Sequence, residues 1–483
     1  MLAPWSQTEL ATADLGDERL DARFALLLTR LGERPNLSIP AACKGRAEME
    51  AAYRFFKNER VTFDNVLRPH IDRTLQRLAQ ERTVLLVQDS TEVDLTRPEQ
   101  EVLGAGTLDG VRSGFLLQEM QAFTPEGVPL GTVWAEILNR TQGVTHVSKV
   151  DRRQRQATPI EEKESLRWLT GMRQARAIAQ QQPEVECICV ADSEADIYEL
   201  FAEDRGERPV QWLIRACQNR ALQGEATGQL LREQVLATAV LYREELLVRG
   251  RVAKTAAEDR ARRVNRVTRH AQVEVHATTV TLRPPWRADR RLPPITVNVV
   301  LVCEGNPPAG EPPVEWLLVT TLRIDTPEAV RRVVEYYCVR WNIEILFRVL
   351  KSGCRIEWRR FEYLERILPC LALYLIVAWR TLFVCRMGRS CPDADCEALF
   401  EPSEWKAVWM TVQREKPPKR APTLSVMVQL VASLGGYIER PESEAGPQTL
   451  WIGMQRMYDL AWGWETFGPE AKPMRSRKPK SRR

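Results

Sequence analysis

Four side chains on one short stretch could together hold a phosphodiester. The segment Tyr336-Tyr-Cys-Val-Arg-Trp-Asn-Ile-Glu344-Ile-Leu-Phe-Arg-Val-Leu-Lys351 contains no Gly or Pro. Its apolar residues recur at helical spacing, which predicts a helix. At about 100° per residue, Tyr337, Arg340, Glu344 and Lys351 fall within roughly 60° of one another on one face. A phenol, a guanidinium, a carboxylate and an ammonium so placed could bind a metal ion and a phosphate together. The same spacing also suits a solvated face carrying an ordinary Arg340–Glu344 (i, i+4) pair.

Other elements must supply partners for Glu344, and two strand-like runs do. Thr83-Val-Leu-Leu-Val-Gln88 is continuously apolar, as in a strand buried on both faces, and leads into Asp89-Ser90-Thr91. Val185-Glu-Cys-Ile-Cys-Val-Ala191 repeats the pattern and leads into Asp192-Ser-Glu194-Ala-Asp196. An acid at the end of a central strand stands at the sheet edge where ligands approach. Glu194 and Asp196 could instead cap the following helix. Between the two runs, residues 114–136 read as a β-hairpin around Thr124-Pro-Glu-Gly127, and Ile160 to Gln182 as a charged amphipathic helix.

The chain has 483 residues, room for about three domains. The net charge of +5 is less than the contribution of its last twelve residues, which hold Lys472, Arg475, Arg477, Lys478, Lys480, Arg482 and Arg483. The body is therefore slightly acidic, and any nucleic-acid binding by it must use local patches. Eleven cysteines without a CxxC pair, and only four histidines, argue against zinc and suit a reducing compartment. The N-terminus lacks the pattern of a signal peptide. Ile367 to Cys385 is apolar apart from Arg380 and reads as a core helix rather than a membrane span.

Tyr-x2-Arg-x3-Glu-x6-Lys resembles the Y-R-E-K box of Tn5-type (IS4 family) cut-and-paste DDE transposases. The Asp-Ser-Thr at 89–91 and Asp-x-Glu-x-Asp-Ile-Tyr from Asp192 resemble that family's first two catalytic motifs, with Ser193 where arginine stands in the best-known relative. The resemblance implies a catalytic and metal-binding triad of Asp89, Asp192 and Glu344 holding two Mg²⁺ (or Mn²⁺) ions. It implies DNA contacts by Tyr337, Arg340, Lys351, Arg215, Arg348, Trp316 and Trp341, with Trp316 stacking on a flipped base. Strand–acid, hairpin, helix, strand–acid is also the order of an RNase-H-like sheet. The implied fold is α/β: an RNase-H-like mixed-sheet core with an all-β insertion and helical ends.

Residues 1–72 resemble the family's helical domain that reads the transposon end, through L-G-D-x-R (15–19) with Arg23, and A-Y-R-F-F-x-N (52–58). Arg19, Arg23 and Arg54 are its candidate DNA contacts, with Lys44, Arg46 and Lys57 nearby. The core is expected over 73–216 and 314–390, and the β insertion over 217–313. Within the insertion the run Arg260, Arg262, Arg263, Arg266 and Arg269 is either a solvated face or a phosphate contact. Residues 391–471 resemble the dimerisation domain, and 472–483 read as a basic disordered tail. The implied function is a cytoplasmic, nucleoid-associated DNA transposase. It would cut double-stranded DNA at element ends through a hairpin and join them to target DNA as a homodimer. The rivals are a catalytically silent DNA-binding protein of transposon origin and a structure-specific nuclease on the same fold.

Overall fold

In the computed structural model of the protein, residues 3–43, 45–140, 157–207, 209–248, 268–311, 313–439, 445–469 and 471 are described. Lys44, the run Arg260 to Arg266 and the tail 472–483 lie outside them.

The N-terminal helices are α1 (Pro4–Glu9), α2 (Glu18–Glu33), α3 (Ile39–Ala42), α4 (Arg46–Phe56) and α5 (Phe63–Leu78). Asp17 starts α2 by accepting from the Arg19 N–H, so the Gly-Asp signal acts as a cap. Phe24, Leu27, Leu28 and Leu31 form its buried stripe against Phe55 of α4. The expected boundary at residue 72 falls inside α5. That helix packs on the sheet and on the long core helix described below, so it belongs with the core.

The sheet has eleven strands: β1 (Thr83–Asp94), β2 (Gly106–Thr107), β3 (Ser113–Phe123), β4 (Pro129–Leu138), β5 (Glu186–Ala191), β6 (Gln211–Arg215), β7 (Leu222–Gln223), β8 (Tyr242–Val248), β9 (Arg269–Leu282), β10 (Ile295–Glu304) and β11 (Glu315–Thr320). Their order is β2-β3-β1-β5-β6-β11-β10-β9-β7, with β4 beside β3 and β8 beside β9. β1, β5 and β6 run parallel, which explains their continuous apolar sequences: helices cover both faces. The helix between β4 and β5 is Leu166–Gln181 (α6), preceded by a 3₁₀ turn at Ile160–Glu162. Val84 and Leu86 pack on the α6 side with Trp168 and Met172, while Leu85 and Val87 face Tyr337, Ile343 and Leu346.

A four-residue helix, Tyr198–Phe201 (α7), follows β5, and Leu231–Leu236 (α8) packs on β9 and β10. The strands expected over 217–313 extend the core sheet, since β9 pairs with β10 and β10 with β11. Arg269 pairs with Glu304 and Glu311, so it is a structural residue of β9 and not a free phosphate contact.

The segment expected as one helix from Tyr336 is three. Helix α9 (Pro327–Val339) begins at a Thr326 cap, Arg340 stands at the break, α10 runs Trp341–Arg348, and Val349–Gly353 is a π turn. The wider π turn departs from 100° per residue, so Lys351 does not follow the stripe expected from the spacing. Helix α11 (Leu364–Ser390) is apolar all round because α5, β4 and the C-terminal helices wrap it. Those are α12 (Pro402–Gln413), α13 (Leu424–Leu434) and α14 (Pro447–Phe467). Trp405, Met427, Val431 and Met454 give them their own core, against Val384 and Cys385 of α11.

Candidate active site

Asp89 is not at the end of its strand, because β1 continues to Asp94. Its parallel pairing with β5 stops at Val87↔Val190. Two residues further on each strand stand Asp89 and Asp192, on the same face, where the two strands cease to be hydrogen-bonded. Asp89 is largely buried, and its Oδ1 accepts from the Ser90 N–H at 2.7 Å. Burial, then the charge of Asp192, pushes its carboxyl up to about 7 against the pull of Arg340. Asp192 caps the 3₁₀ turn Ser193–Ala195 by accepting from the Glu194 N–H at 2.8 Å.

Arg340 joins this pair of strands to the helix. Its Nη1 donates to Asp89 Oδ2 at 3.1 Å and its Nη2 to Glu344 Oε1 at 2.7 Å. The Arg340–Glu344 pair read from the spacing is therefore present, with Glu344 exposed but Arg340 only 3% exposed and Tyr337 fully buried. Two buried polar atoms here, Tyr337 Oη and Arg340 Nε, have no hydrogen-bond partner among the described residues. Burial raises the Tyr337 phenol, while the charges of Arg340 and Arg215 lower it. A guanidinium and a buried hydroxyl thus meet the Asp89 and Glu344 carboxylates, with Asp192 near enough for its charge to raise Asp89.

The other expected contacts sit around this centre in different states. The Arg215 Nη2 donates to the Glu315 carbonyl at 3.2 Å. Trp316 is half-buried and lies 5.9 Å from the Tyr337 ring, beside the phenol. Trp341 is 42% exposed under the Arg340 guanidinium, 4.6 Å away. Arg348 is exposed at the end of α10. Lys351 pairs with Glu357 at 3.7 Å, and Glu357 also accepts from the Asp94 N–H at 3.2 Å. No spacing in the sequence pointed to Glu357, which fastens the π turn to the end of β1. Arg19 and Arg54 are exposed on α2 and α4 and Arg23 is half-buried, all remote from the carboxylates in sequence and carried by a separate helical unit.

Asp196 does not cap a helix. It is buried, accepts from the Cys217 and Gln218 N–H groups at 2.8 and 2.7 Å, and pairs with Arg220 at 2.5 Å. It clamps the turn after β6 behind the site. Glu119 was also missed: it pairs with Asp89 across β1 and β3 and is fully buried, and burial pushes its carboxyl up to about 7. Two polar residues at strand spacing inside the apolar run of β3, Glu119 and Gln121, were the available signal.

A divalent cation suits the donor chemistry of this centre. Asp89 and Asp192 bring two hard oxygen ligands together, and burial, with the Asp192 charge adding to it, raises the Asp89 carboxyl. Among the described residues the three acids do not form a closed metal-binding group, because the Arg340 guanidinium lies between Asp89 and Glu344.

Comparison with known families divides the chain in the order expected. Residues 3–61 match the transposase DNA-binding family, 169–379 the transposase DDE domain, and 376–464 the transposase Tn5 dimerisation domain. The DDE match contains Asp192 and Glu344 and begins after Asp89. Helices α1 to α4 thus form the DNA-binding region, and α12 to α14 lie in the dimerisation region. With these three regions on one chain and a mixed sheet at its centre, the protein belongs to the Tn5/IS4-type DDE transposases and has their RNase-H-like core.

Proposed function

We propose that the chain cuts transposon ends and joins them to target DNA in a divalent-metal-dependent reaction, with Asp89, Asp192 and Glu344 as the catalytic ligands. The observation that carries this is the Arg340 bridge: one buried guanidinium gathers the first and third acids beside the second. Asp89, Asp192 and Glu344 would hold two Mg²⁺ or Mn²⁺ ions, which when bound activate the attacking oxygen and neutralise the leaving one. Arg340 keeps the carboxylates in place and, with Tyr337, Lys351 and Arg215, holds phosphate oxygens. These residues position the strand and carry little sequence information.

Water cleaves one strand, the freed 3′-hydroxyl attacks the opposite strand to form a hairpin, and the reopened end attacks target DNA. Two protomers each bind one end through residues 1–72 and act on the DNA held by the other. The reading brings with it a cytoplasmic, nucleoid-associated location, in keeping with eleven free cysteines. It also keeps the insertion at 217–313 and the dimerisation region at 391–471 as units.

One observation favours the binding-only rival: Arg340 already occupies an oxygen of two of the three acids. A duplex carrying the inverted repeat that flanks the coding region separates the two. Nicking with Mg²⁺ or Mn²⁺, abolished by Asp89→Ala, Asp192→Ala and Glu344→Ala while end binding persists, is the expected result. Binding without nicking in either metal would establish the rival.

A further inference from the structure

The turn Arg355–Arg360 exposes a tryptophan that its own packing does not require. Trp358 is 76% exposed, more than any other tryptophan among the described residues. The turn is nevertheless held from several sides. Ile356, Arg359 and Phe361 are buried, and Arg97 donates to the carbonyls of Arg359 and Phe361. Arg359 donates to the carbonyls of Pro35, Leu37 and Cys354 and stacks 4.4 Å over the Tyr374 ring. Glu357 turns inward to Lys351 and the end of β1. The turn thus spends its inward positions on anchoring and leaves the indole in solvent.

Charge and place identify the occupant. Arg355 and Arg360 flank Trp358, are exposed, and have no ion-pair partner among the described residues. Arg355 also adopts a left-handed backbone, φ 51°, which turns the chain sharply ahead of the tryptophan. Glu362, the exposed acid nearby, lies beyond Arg360. On one side the turn abuts the DNA-binding region, where Tyr53 and Phe56 pack on Phe361 at 6.1 and 5.5 Å. On the other it reaches the π turn that carries Lys351. The turn therefore lies between the DNA-binding region and the segment that carries Lys351.

We infer that Trp358, between Arg355 and Arg360, is a base-stacking DNA contact at the seam between the end-binding region and the active site. The arginines take the phosphates on either side, and the indole stacks on a base that is unpaired or displaced near the cleavage position. This rests on the transposase reading and adds a contact that the Y-R-E-K spacing does not contain.

The test uses the full chain and end-bearing duplexes without divalent metal, with 2-aminopurine placed at successive positions around the cleavage site. Trp358→Ala is expected to weaken binding about 10-fold and abolish the fluorescence change at one position; Trp358→Phe should retain most of both. Trp286→Ala, which removes the next most exposed tryptophan, should change neither. Unchanged affinity and unchanged 2-aminopurine signals in Trp358→Ala would overturn the inference while leaving metal-dependent nicking by the wild type intact. Failure of the wild type to nick would instead count against the transposase reading alone.

Discussion

Replacing Glu9 with glutamine should loosen the attachment of the DNA-binding region to the catalytic core, and do so in a pH-dependent way. Glu9 of α1 is 3% exposed and receives two hydrogen bonds from Arg77, at 2.9 and 3.0 Å. His70 Nε2 accepts from the Thr132 N–H at 3.0 Å, so Nδ1 carries the proton and donates to Glu9 at 2.5 Å. Burial raises the Glu9 carboxyl, but His70 and Arg77 together outweigh it and bring it to about 2, from 4.5. A depressed carboxyl stabilises the fold above its unfolded value and loses that contribution as pH falls through the folded one. With His70 neutral at pH 7, the part held by Arg77 and the hydrogen bonds corresponds to about 2 kcal/mol, lost as pH falls from about 4.5 toward 2. His70 is held neutral by burial, so its stability also erodes as pH drops below 6.5. Hydrogen exchange over Pro4–Glu9 and Phe63–Leu78 reads this locally, which matters because several regions need not unfold together. Glu9→Gln should lose protection there at pH 7 and approach the wild type on acidification. A variant whose deficit is the same at both pH values would refute the assignment of the ionised Glu9 as the binding element.

Three further outcomes follow from the geometry. Arg340→Ala leaves the buried Asp89 carboxyl without its guanidinium and should cost about 1–3 kcal/mol in metal-free protein; Mn²⁺ should raise its melting temperature more than that of the wild type. At Gly453 an added Cβ would lie 1.8 Å from the Val431 carbonyl oxygen. Gly453→Ala should therefore cost about 3 kcal/mol or more by separating α13 from α14, and gel filtration should show loss of the dimer. Arg269→Ala should lower the melting temperature while leaving the salt dependence of DNA binding unchanged, since Arg269 is committed to Glu304 and Glu311.

What could be read from the sequence was what repeats locally. Thr83–Gln88 and Val185–Ala191 announced buried parallel strands because a strand covered on both faces has no polar side to alternate with. The hairpin turn Thr124–Gly127 was legible through its Pro and Gly; the Gly127 N–H donates to the Thr124 carbonyl at 2.9 Å. The helix break at Arg340 was not, because nothing there is a breaker. Arg340 keeps helical backbone angles there, and its buried guanidinium is held by Asp89, 251 positions away. The π turn is equally silent in composition: it places Lys351 by Glu357, and Glu357 is held by the backbone of Asp94, which no periodicity connects to it. Exposure was the most misleading inference. The four-residue stripe also suited a solvated surface, and Glu344 is indeed exposed, yet Tyr337 and Arg340 are interior, one beside Trp316 and the other bonded to Asp89. Trp358 shows the converse: an indole that composition would assign to a core stands outside because its neighbours' long-range bonds hold the turn without it. In both cases the deciding contacts join segments hundreds of residues apart. Chemical type was therefore readable at single positions, whereas the direction in which each group points is set by partners that only the folded chain supplies.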